Sequence, residues 1–261
     1  MTADKGRVIT WWSAGGGVGK TVLAVAQALA LAKRSEKVAL LDFKEGMPHI
    51  HKVLDIELQD LAGIYDAAER GVLSADVVKG YMREKRGLRV LTGIPMEEFE
   101  RFKGRHFSAI IGALRGEFEH IIVDTNAGVF FSSTEAALRE SDGINVVLLP
   151  DKISLEDTAQ MVEFVCDRWG IRRGKVEAFL NKYDRDGIDP ETVERVLGFN
   201  TKAVPYDGRL KDLSRPGIIR VLKDMAHVFQ VPDGCRKDLG RRFIKVFSGG
   251  KVIPHVADKS V

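Results

Sequence analysis

Short apolar segments alternate with longer amphipathic segments along most of the chain. The apolar segments are rich in Val, Ile and Leu, and they read VITWW, VALLDF, LRVLTG, HIIVDT, INVVLLP, VEAFLNK and KAVPY. Between them, segments such as TVLAVAQALALAKR and SLEDTAQMVEFVCDRW have helical periodicity. Because strands that alternate with helices form right-handed βαβ units, we predict an α/β fold with a mostly parallel central sheet of about seven or eight strands and helices on both faces.

The domain organisation follows from composition and charge. No internal repeat, low-complexity stretch or Gly/Ser linker interrupts residues 1–231, so we predict a single domain there. Residues 232–261 contain seven Lys or Arg against three Asp or Glu, whereas the rest of the chain is nearly neutral. The net charge of +3 therefore lies in a basic C-terminal tail.

Several classes of protein are disfavoured by what the sequence contains. It has no apolar run of about 18 residues, and its N-terminus is polar up to Arg7, which predicts a cytoplasmic protein. Cys166 and Cys235 are far apart, which argues against a disulfide framework and a local metal site. We interpret His49 and His51 as loop residues rather than a metal pair, because no third ligand is near them in sequence.

The segment SAGGGVGKT, residues 13–21, joins a predicted strand to a predicted helix. It matches the pattern G-x-x-x-x-G-K-[ST] with Ala14 at the first position. Glycines let the backbone approach phosphates closely, and the helix presents its positive end to an anion. We predict that Lys20 binds phosphate and that Thr21 binds Mg²⁺. The predicted nucleotide-binding residues of this loop are Gly15, Gly16, Gly17, Val18, Gly19, Lys20 and Thr21.

Polar side chains also end the later apolar segments. Asp42 directly follows the apolar residues VALL, Asp124 follows IIV, and Asn181 follows AFL. Ligands bind at the carboxyl ends of parallel strands, so we expect these residues to converge with Lys20. A carboxylate at Asp124 is suited to hold Mg²⁺ through water, and Asp42 supplies a second carboxylate.

Taken together, GGGVGKT, LLDF, IIVDTNAG, VVLLP with SLEDTAQ, FLNKY and VPYDGRL resemble the ParA/MinD family of P-loop ATPases over about residues 6–230. The resemblance implies a P-loop NTPase fold with ATP and Mg²⁺ as cofactors. It implies that Thr21, Asp42 and Asp124 surround the metal. It further implies that Lys20 and Asp42 act in catalysis, that Asn181 recognises adenine, and that Pro205 and Asp207 lie beside the base.

Members of this family are molecular switches, and the resemblance extends that expectation to this chain. ATP bridges two subunits into a homodimer, and an activating protein partner stimulates hydrolysis. The family positions plasmids, division proteins, flagella or pili.

Two residues depart from the family pattern. Gly15 stands where a second loop lysine is usual, and Lys44 stands where a second aspartate is usual. A lysine ammonium cannot accept a hydrogen bond from an attacking water. We therefore predict a slow ATPase, similar to the pilus-localisation branch that includes CpaE and TadZ.

The tail segment DLGRRFIKVFSGGK, residues 238–251, has two open interpretations. As a helix it places Phe243 and Phe247 on one face and gathers cations opposite, which is typical of a helix that binds anionic membrane and resembles the MinD targeting helix. The protein would then lie peripherally on the inner face of the cell membrane. Alternatively the helix packs on the domain. The cations are Arg241, Arg242 and Lys245.

Two other functions stay open. One is a non-enzymatic localisation scaffold with a degraded ATPase site, favoured by Gly15 and Lys44. The other is a DNA-segregation ATPase that binds nonspecific DNA through clusters such as Arg172, Arg173 and Lys175. Acidic residues interspersed among such clusters favour solvated surface over a DNA contact.

Overall fold

The computed structural model describes residues 6–34, 37–213 and 217–229. The strands are β1 (Arg7–Trp12), β2 (Val38–Phe43), β3 (Glu45–Gly46), β4 (Arg83–Lys85), β5 (Leu88–Leu91), β6 (Ile94–Pro95), β7 (His120–Thr125), β8 (Gly143–Leu148), β9 (Val176–Tyr183) and β10 (Thr201–Pro205). The helices are α1 (Lys20–Ala32), α2 (Ile50–Leu54), α3 (Ala62–Glu69), α4 (Ala75–Tyr81), α5 (Gly104–Leu114), α6 (Ser132–Glu140), α7 (Lys152–Trp169), α8 (Pro190–Leu197) and α9 (Ile218–Asp224).

Eight of these strands form one sheet in the order β10-β9-β8-β1-β7-β2-β5-β4. Every neighbouring pair is parallel except β4 and β5, which are antiparallel. The predicted fold class is therefore confirmed, with eight strands in the central sheet. A separate pair, β3 and β6, forms a two-stranded parallel ladder.

The edge strand β4 is the one strand of the main sheet that the apolar pattern did not predict. It reads REK, and its first two residues are exposed. A short charged edge strand of this kind protects a sheet against pairing with another chain. Its sequence therefore looks like a loop, although its backbone pairs with β5.

Alternation along each strand divides the core between the two faces of the sheet. Trp11 packs in the cluster that includes α1 and α9, whereas Trp12 packs on the opposite face with α7 and α8. Both indoles are fully buried. The strands β2, β5 and β7 form a third cluster with α3, α4 and α5. Successive strand residues point to opposite faces, which places one tryptophan on each side.

The topology brings the predicted site residues to one edge of the sheet. β1 leads directly into the glycine loop and α1, and α1 packs against β1, β2 and β7. Asp42 of β2 and Asp124 of β7 are partners in register, so their side chains stand side by side.

The tail lies outside the described residues, so the predictions for Phe243, Phe247 and the neighbouring cations stay predictions, as does Cys235. Within the described parts of the chain, no helix is both long and apolar enough to cross a bilayer. Cys166 lies half-buried against the α7 and α8 cluster.

Candidate nucleotide site

The glycine loop has the backbone geometry expected of a phosphate cradle. Gly17 and Gly19 have φ angles of 72° and 98°, a region that side chains disfavour. A Cβ atom at Gly19 would stand 2.3 Å from Nδ2 of Asn181. Glycine is therefore required at position 19 by both conformation and space. By contrast, a Cβ at Gly15 or Gly16 would meet no atom of the described residues within 4 Å.

Lys20 lies folded back along the loop. Its Nζ donates to Oγ of Ser13 at 2.7 Å, and that hydroxyl donates to the carbonyl of Gly15 at 2.6 Å. Burial lowers the pKa of Lys20 to about 8, against the opposing effect of Asp124. A buried ammonium among loop carbonyls is a strong attractor for phosphate oxygens.

Thr21, Asp124 and Lys44 form a contiguous polar cluster at the start of α1. The Thr21 hydroxyl donates to Oδ2 of Asp124 at 2.7 Å. The Lys44 ammonium contacts Oγ1 of Thr21 and lies 2.9 Å from Oδ2 of Asp124. Oδ1 of Asp124 is buried and has no hydrogen-bond partner among the described residues. The described residues of the cluster therefore leave one acceptor of Asp124 unused.

Asp42 is held quite differently, because backbone groups surround it. Its Oδ1 accepts from the amide of Lys44 at 3.2 Å, and its Oδ2 accepts from the amides of His49 and Ile50 at 2.7 and 2.8 Å. These bonds fix the turn between β2 and α2. Asp42 lies where the sequence placed it, beside Asp124, and its assignment to the metal and to catalysis stays a prediction.

The cluster is electrostatically crowded. Burial and the neighbouring Asp124 raise the pKa of Asp42 to about 7, with Lys44 opposing the shift. Burial and Lys44 also lower the pKa of His49, whose Nδ1 lies 3.4 Å from the Lys44 ammonium. Two buried lysines and two buried carboxylates thus share one small volume.

The loop that follows Asp124 is tied to both neighbouring segments. Nε1 of Trp12 donates to the carbonyl of Gly128 at 2.7 Å, and the amide of Gly128 donates to the carbonyl of Ser13 at 2.8 Å. Oδ1 of Asn126 accepts from the amide of Glu45 at 2.8 Å. The ends of β1, β2 and β7 are therefore mechanically connected.

A cleft of about 630 Å³ opens beside the glycine loop. This volume is within the range of sites for small molecules and cofactors. Among its lining residues are Gly16, Gly17, Gly19, Lys20, Thr21, Lys44, Asn126, Asn181, Lys182, Pro205, Tyr206, Asp207 and Lys211.

The cleft is also lined by the residues predicted to lie beside a base. Asn181 donates its amide to the carbonyl of Val18 at 2.6 Å and so braces the glycine loop. Asp207 accepts from the amide of Arg209 at 2.9 Å and pairs with its guanidinium. Pro205 ends β10, and Tyr206 is 50 % exposed. The predicted base residues therefore lie together, although two of them also have structural bonds.

Residues 9–230 match the family model described as the CobQ/CobB/MinD/ParA nucleotide binding domain. The protein belongs to this family. The predicted resemblance to the ParA/MinD group is thus confirmed at the level of the family, and the chain contains a nucleotide-binding domain of the CobQ/CobB/MinD/ParA type.

Individual relatives agree with that membership. The septum site-determining protein MinD of Helicobacter pylori is 28 % identical over 159 residues, which are 60 % of this chain and 58 % of the relative. The chain thus spans less than two thirds of that relative's length. The solved MinD of Pyrococcus horikoshii, complexed with Mg-ADP, has a TM-score of 0.69 at 21 % identity and is covered to 94 %, as is 84 % of this chain.

A third similar structure is the MinC:MinD complex of Aquifex aeolicus, with a TM-score of 0.68, 20 % identity, and coverage of 85 % of this chain and 94 % of that one. At such identities the likeness shows the shared fold. The predicted cofactors, ATP and Mg²⁺, agree with a nucleotide-binding domain and with the Mg-ADP in the Pyrococcus horikoshii relative.

The structure also brings in residues that the sequence did not assign. Ser13 contacts Lys20, Trp12 holds the loop after Asp124, and Lys182 places its ammonium 3.1 Å from the carbonyl of Gly17. Lys182 has a φ of 57°, which is unusual for a residue with a side chain. Only its position directly after Asn181 at a strand end could have indicated a role.

The residues fit a magnesium ion that accompanies a bound nucleotide. A threonine hydroxyl and an aspartate at the end of the neighbouring strand are the pair that P-loop proteins use for Mg²⁺. Oδ1 of Asp124, which is buried and has no hydrogen-bond partner in the described parts of the chain, is an oxygen of the kind that this ion prefers. Thr21 and Asp124 would therefore hold the metal.

Proposed function

We propose that this protein is an ATP-dependent molecular switch that binds Mg-ATP in the cleft beside residues 14–21 and hydrolyses it slowly. The observation that carries the proposal is the glycine loop itself. Gly17 and Gly19, which have positive φ angles, line one cleft of about 630 Å³. The buried Lys20 and the start of α1 line the same cleft. A helix start that follows such a loop attracts phosphate.

Each part of the cleft has a task in this proposal. The backbone of residues 15–19 and the Lys20 ammonium bind the phosphates. Thr21 and Asp124 hold Mg²⁺, which neutralises phosphate charge when it is bound. Asn181, Pro205 and Asp207 form the wall for the base, and the half-exposed ring of Tyr206 gives that wall an aromatic surface.

Slow hydrolysis follows from what surrounds the position of an attacking water. Asp42 already accepts three backbone N–H groups, and Lys44 has only donors. Neither side chain is arranged as a free acceptor. Restoring the family pattern with Lys44→Asp together with Gly15→Lys should raise ATP turnover by at least tenfold, which phosphate release would measure. Unchanged turnover would contradict this explanation.

Binding itself is tested by calorimetry with Mg-ATP. We expect Lys20→Ala to weaken binding by at least tenfold, because it removes a charge-assisted contact to phosphate. Lys152→Ala is the matched control, since Lys152 is exposed at the start of α7 and should leave affinity unchanged. If the wild-type protein binds no nucleotide, the alternative of a localisation scaffold with a degraded site gains support.

Nucleotide-dependent dimerisation belongs to the same proposal. Large apolar side chains are exposed near this edge of the sheet: Met47 lines the cleft, and Phe130 lies in the loop after Asp124 with 86 % of its surface accessible. Exposed apolar groups of this size favour a protein contact. Light scattering after size-exclusion chromatography, with and without ATP, should show a dimer only for protein with intact Lys20.

The proposed switch also needs a surface to which it attaches. In this proposal residues 238–251 attach the switch to anionic membrane, and the alternative is attachment to nonspecific DNA. Binding to anionic liposomes should disappear in Phe243→Ala/Phe247→Ala protein, whereas DNA binding would fall steeply with salt. Positioning of a cellular component through a protein activator, and membership of the CpaE/TadZ-like branch, remain parts of the proposal.

A further inference from the structure

Lys44 extends from the end of β2 into the cluster at the end of β7. Its ammonium contacts Thr21 Oγ1, lies 2.9 Å from Asp124 Oδ2 and lies 3.4 Å from His49 Nδ1. A lysine ammonium has three N–H donors, and three potential acceptors surround this one. The side chain is also almost fully buried. Lys44 is therefore an integral part of the cluster and not a solvated surface lysine.

Two of these three partners are the groups that fit magnesium. Mg²⁺ contacts oxygen at about 2.0–2.1 Å, so an ion on the Thr21 hydroxyl would lie directly against the ammonium. Two cations at that separation repel strongly, above all where water is excluded. The Lys44 ammonium and a divalent ion therefore exclude each other between Thr21 and Asp124.

Hydrogen bonds hold the backbone around Lys44 in place. Its amide donates to Oδ1 of Asp42 at 3.2 Å, and the next amide, of Glu45, donates to Asn126 at 2.8 Å. The segment is thus fixed on both sides, to β2 and to the loop after β7. Moving the ammonium away would also break its ion pair with the buried Asp124 carboxylate, which is unfavourable.

We propose that Lys44 is an internal cation that occupies the magnesium position, so that a divalent ion binds only when the ammonium leaves Thr21 and Asp124. In the setting of the proposed function, on which this consequence rests, phosphate oxygens of a nucleotide offer the ammonium another anionic partner. Nucleotide then binds first and the metal second. In the nucleotide-free protein, divalent ions compete directly with Lys44.

The competition is measured by titrating nucleotide-free protein with Mn²⁺ and following free Mn²⁺ by electron paramagnetic resonance. We expect Lys44→Met to bind Mn²⁺ at least tenfold more tightly than wild type. Lys182→Met is the matched control, because Lys182 lines the same cleft but contacts the carbonyl of Gly17 instead. It should bind Mn²⁺ as wild type does.

Equal Mn²⁺ affinity in wild type and Lys44→Met would overturn the proposal. An equal gain in Lys182→Met would overturn it too, because the effect would then be general electrostatics. Adding Asp124→Asn to Lys44→Met should remove the gain, and a gain that survives would place the ion elsewhere. If Lys44→Met does not fold, Lys44→Gln replaces it, since glutamine keeps hydrogen bonding without the charge.

A parallel titration with fluorescently labelled ADP in EDTA separates this inference from the proposed function. A clear gain in Mn²⁺ affinity without any ADP binding would retain the Lys44 inference and contradict the nucleotide switch. ADP binding that depends on Lys20, with no Mn²⁺ difference between wild type and Lys44→Met, would do the reverse. Binding of ADP to wild type in EDTA, together with the Mn²⁺ gain, supports both.

Discussion

Asp42 and Asp124 end neighbouring strands in register, and both carboxylates are buried, yet different kinds of group hold them. Asp42 accepts three backbone N–H groups. Asp124 is held on one oxygen by two side chains, Thr21 and Lys44, and its other oxygen has no hydrogen bond among the described residues. Backbone partners cannot leave without unfolding the turn, whereas side-chain partners can be exchanged for a ligand.

Because their hydrogen-bond partners differ, Asp42 and Asp124 have different roles. Helix α2 begins at Ile50, and the side chain of its N-cap residue, His49, makes no capping bond. Asp42 supplies the missing acceptor from the end of β2, because its Oδ2 takes the amides of both residues. Asp42 therefore shapes the chain around the site, and Asp124 stays available to the site.

The largest effect on stability should come from Asp42. Asp42→Ala leaves three amide donors without their acceptor, so we expect the free energy of unfolding to fall by about 3 kcal/mol or more. Urea denaturation measures this change. Asp42→Asn should lose less, because its carbonyl oxygen can still accept the two amides of the α2 start. A loss below about 1 kcal/mol in Asp42→Ala would remove the structural role from this carboxylate.

The second effect tests the partners of Asp124. Lys44→Met and Asp124→Asn should each destabilise by about 3 kcal/mol, because each leaves a buried charge without its partner. The double variant should cost about 2 kcal/mol less than the sum, as expected for directly coupled groups. The control pair is Lys202 and Glu177, whose more exposed ion pair should couple by less than about 1 kcal/mol. Strict additivity at Lys44 and Asp124 would argue against their contact.

A smaller effect concerns how the segment after Asp124 is held. Trp12→Phe removes the indole bond to the carbonyl of Gly128 and should cost about 2 kcal/mol. The Gly128 amide should then exchange its hydrogen faster, which mass spectrometry or NMR detects. Trp11→Phe is the control on the opposite face, since its indole bonds Gln27 instead. It should leave exchange at Gly128 unchanged, and equal acceleration in both variants would exclude a specific role for Trp12.

The smallest effect is expected at the connection between the two strand ends. Asn126→Ala removes the acceptor of the Glu45 amide, and we expect a cost of about 1 kcal/mol. Asn200→Ala, which removes an exposed bond to Glu177, should cost clearly less. If the two variants are equally stable in urea, Asn126 does not connect the β2 end to the β7 end in a way that matters for folding.

Much of the fold was predictable because apolar runs and strand ends carry most of the information. All seven predicted strands are present, and Lys20, Thr21, Asp42, Asp124 and Asn181 meet at one edge of the sheet. A parallel sheet forces such convergence whatever the detailed packing. Strand β4 was not predicted because it contains no apolar residue: Arg83 and Glu84 are exposed at the edge of the sheet, and Lys85 is half-buried.

The contacts of Lys44 were beyond what the sequence could predict. Lys44 follows Asp42 by two residues, so the sequence predicts a positive charge near the site. The direction of the side chain, however, depends on the turn that Asp42 fixes. The shape of the turn depends on the amides of residues 49 and 50, which donate to Asp42 and belong to no sequence motif. The hydrogen bond of the Trp12 indole could not be predicted either, because its partner Gly128 lies 116 residues away along the chain.

The glycine loop, finally, sets unequal limits on how this sequence can change. Position 19 is closed to substitution, since its φ is positive and Asn181 fills the space of a Cβ, so relief at position 181 alone would not release it. Position 15 is open, because its φ lies outside the left-handed region and no atom of the residues that the structure describes lies within 4 Å of a Cβ placed there. Two positions of one short loop therefore differ in how freely they can evolve: a side chain at position 15 meets no obstacle at its Cβ, whereas one at position 19 is strained and has to displace the Asn181 amide.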